Sequence, residues 1–169
     1  MKSGTKDILA VLETIFFVLI LFLMFAPFIK FDENWTGSSE SVNGYSLIFG
    51  NSDKGFGFSI FGFITFLCLI VAILLCIVKL FVVNSDTRTI INIFVIILGL
   101  LAGVFFFCMK TSMMVEFSKD AKAAFDYMGI QKSQILEFFD LGIGAIFSGI
   151  LAILATGLAV IEQAVKTSK

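Results

Sequence analysis

Glu13 and Lys79 are the residues of this chain placed where ionisable chemistry is hardest. Glu13 stands five residues into the apolar run Ile8–Ile29, and Lys79 stands four residues before the end of the apolar run Phe58–Val83. If both runs are helices crossing a bilayer in opposite directions, each charge lies roughly 7 Å below the same membrane face. A lone charge at that depth needs a partner, a wet cavity or a change of protonation. Two kinds of chemistry follow. One is a proton or ion relay opening to that face. The other is a structural Glu13–Lys79 ion pair, with the lysine stem snorkelling towards water. Glu162 and Arg88 fall near the same level. A relay across a membrane needs polar groups near the midplane, and here those amount to Thr65, Thr156 and Asn92. The ion pair is therefore the favoured reading.

Other chemistry finds few residues to work with. The chain has no histidine, so the usual neutral-pH base and the commonest metal ligand are missing. Serines, cysteines and carboxylates do not converge at catalytic spacing. No glycine-rich segment ends in the Lys-Ser/Thr of a phosphate loop. Cys68, Cys76 and Cys108 all fall inside apolar runs and read as packing residues. The expectation is no enzyme, no cofactor and no metal site. A net charge of −1 offers no field for nucleic acid.

The elements that must position these groups are membrane spans. Of the 169 residues 59% are hydrophobic, with a mean hydropathy of +1.04. Soluble domains are roughly 45–50% apolar, and a fold of this length could not hide the surplus. Four spans are expected, at 8–29, 58–83, 89–109 and 141–161. The first run is too long for the apolar core of a signal peptide and lacks a small-residue cleavage site, so it reads as an uncleaved anchor. Pro27, the only proline, is expected in its last turn.

The fourth span carries a row of small residues. Gly142, Ala145, Gly149, Ala152, Thr156 and Ala159 follow one another at spacings of 3, 4, 3, 4 and 3. Such a row makes one helix face nearly flat, which is how helices approach closely in lipid. The mean spacing of 3.5 suits a left-handed crossing. Packing within the chain is favoured over a dimer. The third span offers Gly99 and Gly103, with Asn92 seven residues before Gly99 on the same face. A buried amide there wants a partner on another helix.

Two longer segments join the spans. In the first, Asn43-Gly44 is a type I′ hairpin signal, and Tyr45–Phe49 reads as the following strand. Trp35 and Tyr45 suit a membrane interface, and Asn34-Trp35-Thr36 fits the glycosylation pattern. In the second, Ser118 caps a short amphipathic helix that runs to Met128 and stops at Gly129. Ala121, Ala124, Phe125 and Met128 form its apolar side. Ser133 offers a second helix start, which would begin the fourth helix well before Leu141. The segments 1–7, 79–88 and 162–169 each carry two basic residues in a short length. This density puts both termini on the cytoplasmic side and the longer segments outside.

The run Pro27-Phe28-Ile29, then Gly44-Tyr45-Ser46-Leu47-Ile48-Phe49-Gly50, then Phe58-Ser59-Ile60-Phe61-Gly62, with the Gly/Ala-rich last span, resembles small four-span membrane proteins of low-GC bacteria. The layout is also similar to a claudin-type tetraspan: short inner link, larger first outer loop with a tryptophan, amphipathic second loop. The Gly-Leu-Trp and paired cysteines of the claudin loop are absent. The resemblance implies a layout and no activity.

The expected fold is thus an all-α membrane protein, a four-helix transmembrane bundle with a small β-hairpin in the first outer loop and a short amphipathic helix in the second. The expected role is structural or accessory, in the cell membrane. Its partners would be the lipid bilayer and a second copy or another membrane protein. The alternative is a subunit of a small transporter or channel using Glu13 and Asn92.

Overall fold

A computed structural model describes residues 2–31 and 40–167. Four long helices make its body: α1 (Lys2–Leu23), α3 (Ile60–Phe81), α4 (Ser85–Phe107) and α7 (Ile143–Thr167). Between them lie β1 (Pro27–Phe31), β2 (Ser41–Asn43), α2 (Gly44–Phe49), α5 (Lys119–Met128), α6 (Lys132–Leu136) and β3 (Phe139–Leu141). Three helical stretches, Ile60–Phe81, Ser85–Phe107 and Ile143–Val165, are long and apolar enough to cross a membrane.

The long helices close a ring. α1 packs against α3 and α7, and α4 packs against the same two. Successive members run antiparallel, so the start of α1, the end of α3, the start of α4 and the end of α7 share one end of the bundle. The buried positions of α1 are Ala10, Glu13, Phe17 and Ile20, and Met24 just past its end continues the alternation by three and four. That is the stripe by which one helix packs on another at a shallow angle. Outward positions are apolar too: Ile8, Phe22, Ile60, Phe81 and Phe94 are more than half exposed. A surface this apolar suits lipid rather than water.

The other end carries a cap. Its sheet has the order β2-β1-β3, all antiparallel, with Ile29 paired to Val42 on one side and to Leu141 on the other. Phe28 ties cap to bundle. Its ring meets Phe106 edge-on with centroids 5.8 Å apart. A Cβ on Gly44 or Gly144 would press on it at 3.0 and 2.7 Å. Glycine at both positions lets the ring in.

Several boundaries differ from the sequence expectation. α1 ends at Leu23, and Pro27 opens β1 instead of closing the helix. A proline pushes the residue before it out of helical geometry. The Met24 carbonyl is taken by the Gly44 N–H at 2.9 Å. The expected strand at Tyr45–Phe49 is α2. Asn43 is its cap: the Ser46 N–H donates to Asn43 Oδ1 at 2.8 Å. An Asn side chain serves a helix start as readily as a tight turn, and burial of Leu47 and Ile48 decides for the helix. The first segment does hold antiparallel strands, β1 with β2, but not around Asn43-Gly44. Ser133 lies inside α6, which β3 separates from α7, so the last helix starts at Ile143. Gly142 therefore precedes that helix. α5 matches its expected bounds, with Ser118 as cap and Gly129 at φ 69°. Trp35 and the Asn34-Trp35-Thr36 triplet lie outside the described residues.

Candidate functional site

Each long helix brings one or more polar residues to the bundle end shared by the chain termini, each on its helix's inward stripe. α1 supplies Asp7 and Glu13. α3 supplies Cys76 and Lys79, α4 supplies Arg88 and Asn92, and α7 supplies Glu162. Glu13 and Lys79 are fully buried, and Asn92 and Glu162 nearly so.

Lys79 sits at the centre. Its ammonium donates to Glu13 Oε2 at 2.5 Å and to Asn92 Oδ1 at 2.9 Å. Glu162 Oε2 lies 2.8 Å from the same nitrogen, at ion-pair distance. Asn92 turns its amide nitrogen to the Ala159 carbonyl of α7 at 2.7 Å. This one side chain thereby joins α3, α4 and α7. The other Glu162 oxygen accepts from Arg88 Nε at 2.8 Å, and Arg88 Nη1 donates to Asp7 at 2.7 Å. The result is a line of alternating charge, Asp7–Arg88–Glu162–Lys79–Glu13, passing through all four helices. Asp7, the half-exposed end, meets water. Glu13 is the buried end. The Cys76 thiol points at its Oε2 from 3.7 Å, and its Oε1 has no partner among the described residues.

A cavity of about 310 Å³ opens beside this line at the terminal end. Lys6, Asp7, Arg88, Asn92 and Glu162 face it, while Glu13 and Lys79 lie deeper. Beyond Glu13 the interior turns apolar, filled by Phe17, Ile20, Leu69, Val95 and Ala102. The Thr65 and Thr156 hydroxyls are used locally, donating to the Phe61 and Ala152 carbonyls at 2.9 and 2.8 Å. The Ser148 hydroxyl is buried with no partner among the described residues. Among the described residues no polar chain crosses from the charged end to the cap.

The small residues lie where α7 meets α1 and α4. Ala145, Ala152 and Ala159 are fully buried and Thr156 almost so. A Cβ on Gly99 would collide with the Thr156 hydroxyl and touch the Phe17 ring at 3.0 Å. One on Gly103 would lie 3.3 Å from Ile153, and one on Gly149 would press into Phe107 at 2.7 Å. Gly142 serves a different contact. Its N–H donates to the Phe28 carbonyl at 2.8 Å, and a side chain there would strike the Pro27 carbonyl. The row is thus occupied inside this chain. Gly157, on the outward side of α7, faces open space.

The sequence points to Glu13, Lys79 and Asn92, with the asparagine as a helix contact, a midplane polar group and a candidate transport residue; the structure puts it on Lys79 at the charged end. Sequence reasoning noted the level of Arg88 and Glu162 without joining them, and it passed over Asp7 and Gly144. The signal for Arg88 and Glu162 was present, since opposite charges at one depth on neighbouring helices pair. No protein family, curated protein or solved structure matches this chain.

Proposed function

We propose that this is a multi-pass protein of the cell membrane, with α1 as a fourth span and both termini cytoplasmic, whose bundle holds an outer cap against a partner. The role is structural or accessory, with no catalytic step. One observation carries the reading: the ionisable groups inside the bundle bind one another at one end, and the interior between them and the cap is packed with apolar side chains. Such an arrangement fastens four helices and, among the described residues, leaves no polar path through a single chain. The fourth span is supported by the outward face of α1, where Ile8, Val11, Ile15, Leu19 and Phe22 are exposed. Its one deeper charge, Glu13, is neutralised by Lys79. The small-residue row is spent within the chain, so the reading places partner contacts on the cap.

Photo-crosslinkers at exposed cap positions, Met113 and Tyr127, test this in native membranes. A discrete adduct, with another membrane protein or a second copy, is expected. A chain that stays monomeric and unlinked at both positions would overturn the reading.

The cavity leading to Glu162 and Asn92 favours a second reading, a subunit of a small transporter or channel. It requires several copies to line a path. Flux in liposomes that disappears with Glu13→Gln would select it.

A further inference from the structure

A second cavity lies in the cap, far from the charged line. It measures about 120 Å³ and sits beneath α5. Its rings form one cluster: Phe31 meets Phe139 edge-on at 4.9 Å, Phe56 meets Phe117 at 5.8 Å, and Phe117 meets Phe125 at 5.1 Å. Four of these rings stand on fixed backbone. Phe31 and Phe139 are paired residues of the sheet, and Phe56 and Phe117 face each other across an antiparallel bridge. The remaining wall is α5, through Ala121 and Phe125. That helix is amphipathic, yet none of its residues is fully buried. Its apolar side faces a space that the described residues leave open.

Size and charge say what would fill it. A closed apolar cavity of roughly 150 Å³ accepts one benzene; this one is somewhat smaller and open on one side, so it would take a ring with its substituent at the mouth. Among the described residues the only charged group on the lining is Lys54, at the rim. Lys54 donates to the Ser41 carbonyl at 2.8 Å; an ammonium has three N–H groups, and among the described residues the other two are left for a ligand. We propose that the cap binds a small aryl carboxylate, its ring among the phenylalanines under α5 and its carboxylate on Lys54. The ring completes the burial that α5 lacks, and the lysine selects an anion over a neutral or cationic ring. The site stands independently of any partner on the cap.

The test uses the whole protein in lipid nanodiscs, with empty nanodiscs as control, and reads saturation-transfer NMR of three probes. Phenylacetate should bind. Phenylacetamide, with the same ring and no charge, should bind about two- to five-fold more weakly, the worth of one exposed charge contact. Phenethylamine should bind more weakly still. Lys54→Met should lower phenylacetate to the level of phenylacetamide and leave the amide unchanged. Ala121→Leu, which fills the space from α5, should abolish binding of all three. Equal binding of acid and amide, indifferent to Lys54→Met, overturns the proposal, as does undiminished binding to a folded Ala121→Leu protein. If Ala121→Leu does not fold, the rim variant decides alone.

Discussion

Removing Lys79 is the sharpest perturbation of this protein. Its ammonium is fully buried and serves Glu13, Asn92 and Glu162 at 2.5, 2.9 and 2.8 Å. In Lys79→Met, Glu13 loses its only cation among the described residues, while Glu162 keeps Arg88 at 2.8 Å. Breaking a buried pair from one side costs about 3–5 kcal/mol, because the abandoned charge stays buried. Glu13→Gln is milder: Lys79 keeps Glu162 and Asn92, and the loss is one charge-assisted hydrogen bond, about 1.5–3 kcal/mol. The double variant leaves no orphan at position 13. It should therefore cost less than the sum of the two by about 1–3 kcal/mol. The parallel cycle of Lys79 with Glu162→Gln should give a smaller coupling, since Arg88 already holds that carboxylate. Unfolding in mixed micelles of rising SDS content, followed by circular dichroism, supplies all the free energies. Losses that add to within about 0.5 kcal/mol in the first cycle would refute the shared ion pair. A larger coupling in the second cycle would refute the ranking of the two carboxylates.

Three further outcomes are expected. Gly99→Ala should destabilise the bundle by about 1–3 kcal/mol, since its Cβ meets the Thr156 hydroxyl. Adding Thr156→Ala should restore part of that loss in the same assay, and no recovery would mean the contact is misplaced. Asn43→Ala should cost about 1 kcal/mol through loss of the α2 cap, visible as faster amide exchange at Ser46; unchanged exchange there would remove the cap. Glu116, between Lys122 and Lys132, has its carboxyl held below the usual range, chiefly by the Lys122 hydrogen bond. A depressed carboxyl stabilises the fold above its unfolded value and loses that contribution as pH falls through its folded value. The gap between wild type and Glu116→Gln should therefore close in acid, and a gap constant with pH would contradict the pairing. The effect is small, because the side chain is 36% exposed.

How much could be read in advance varied by element. α5 was legible end to end, because Ser118, Gly129 and the Ala121–Phe125 spacing are local signals that nothing distant overrides. The turn at Asn43 was misread for the opposite reason. Asn-Gly specifies a hairpin only if the following residues pair as a strand. Here Leu47 and Ile48 are drawn under the cap as a helix, and the Met24 carbonyl takes the Gly44 N–H. The first run was placed six residues too far along the chain at both ends; its end was overrun because hydropathy does not register where backbone bonds change hands, and Phe28 and Ile29 are as apolar in β1 as in a helix.

The sequence by itself pointed to four apolar runs, three of which form helices long and apolar enough for a membrane, and it put Glu13 and Lys79 at matching depths in their runs and a flat face on α7. These follow from composition, from rise per residue and from periodicity, which are properties of a single strand of chain. Only the tertiary structure decided which helices neighbour which. That order put Asn92 against Lys79 and Ala159, strung Asp7, Arg88 and Glu162 onto the pair, and spent the small-residue row inside the chain. Helix order around a ring is fixed by many weak contacts at once, and no local run of residues encodes it.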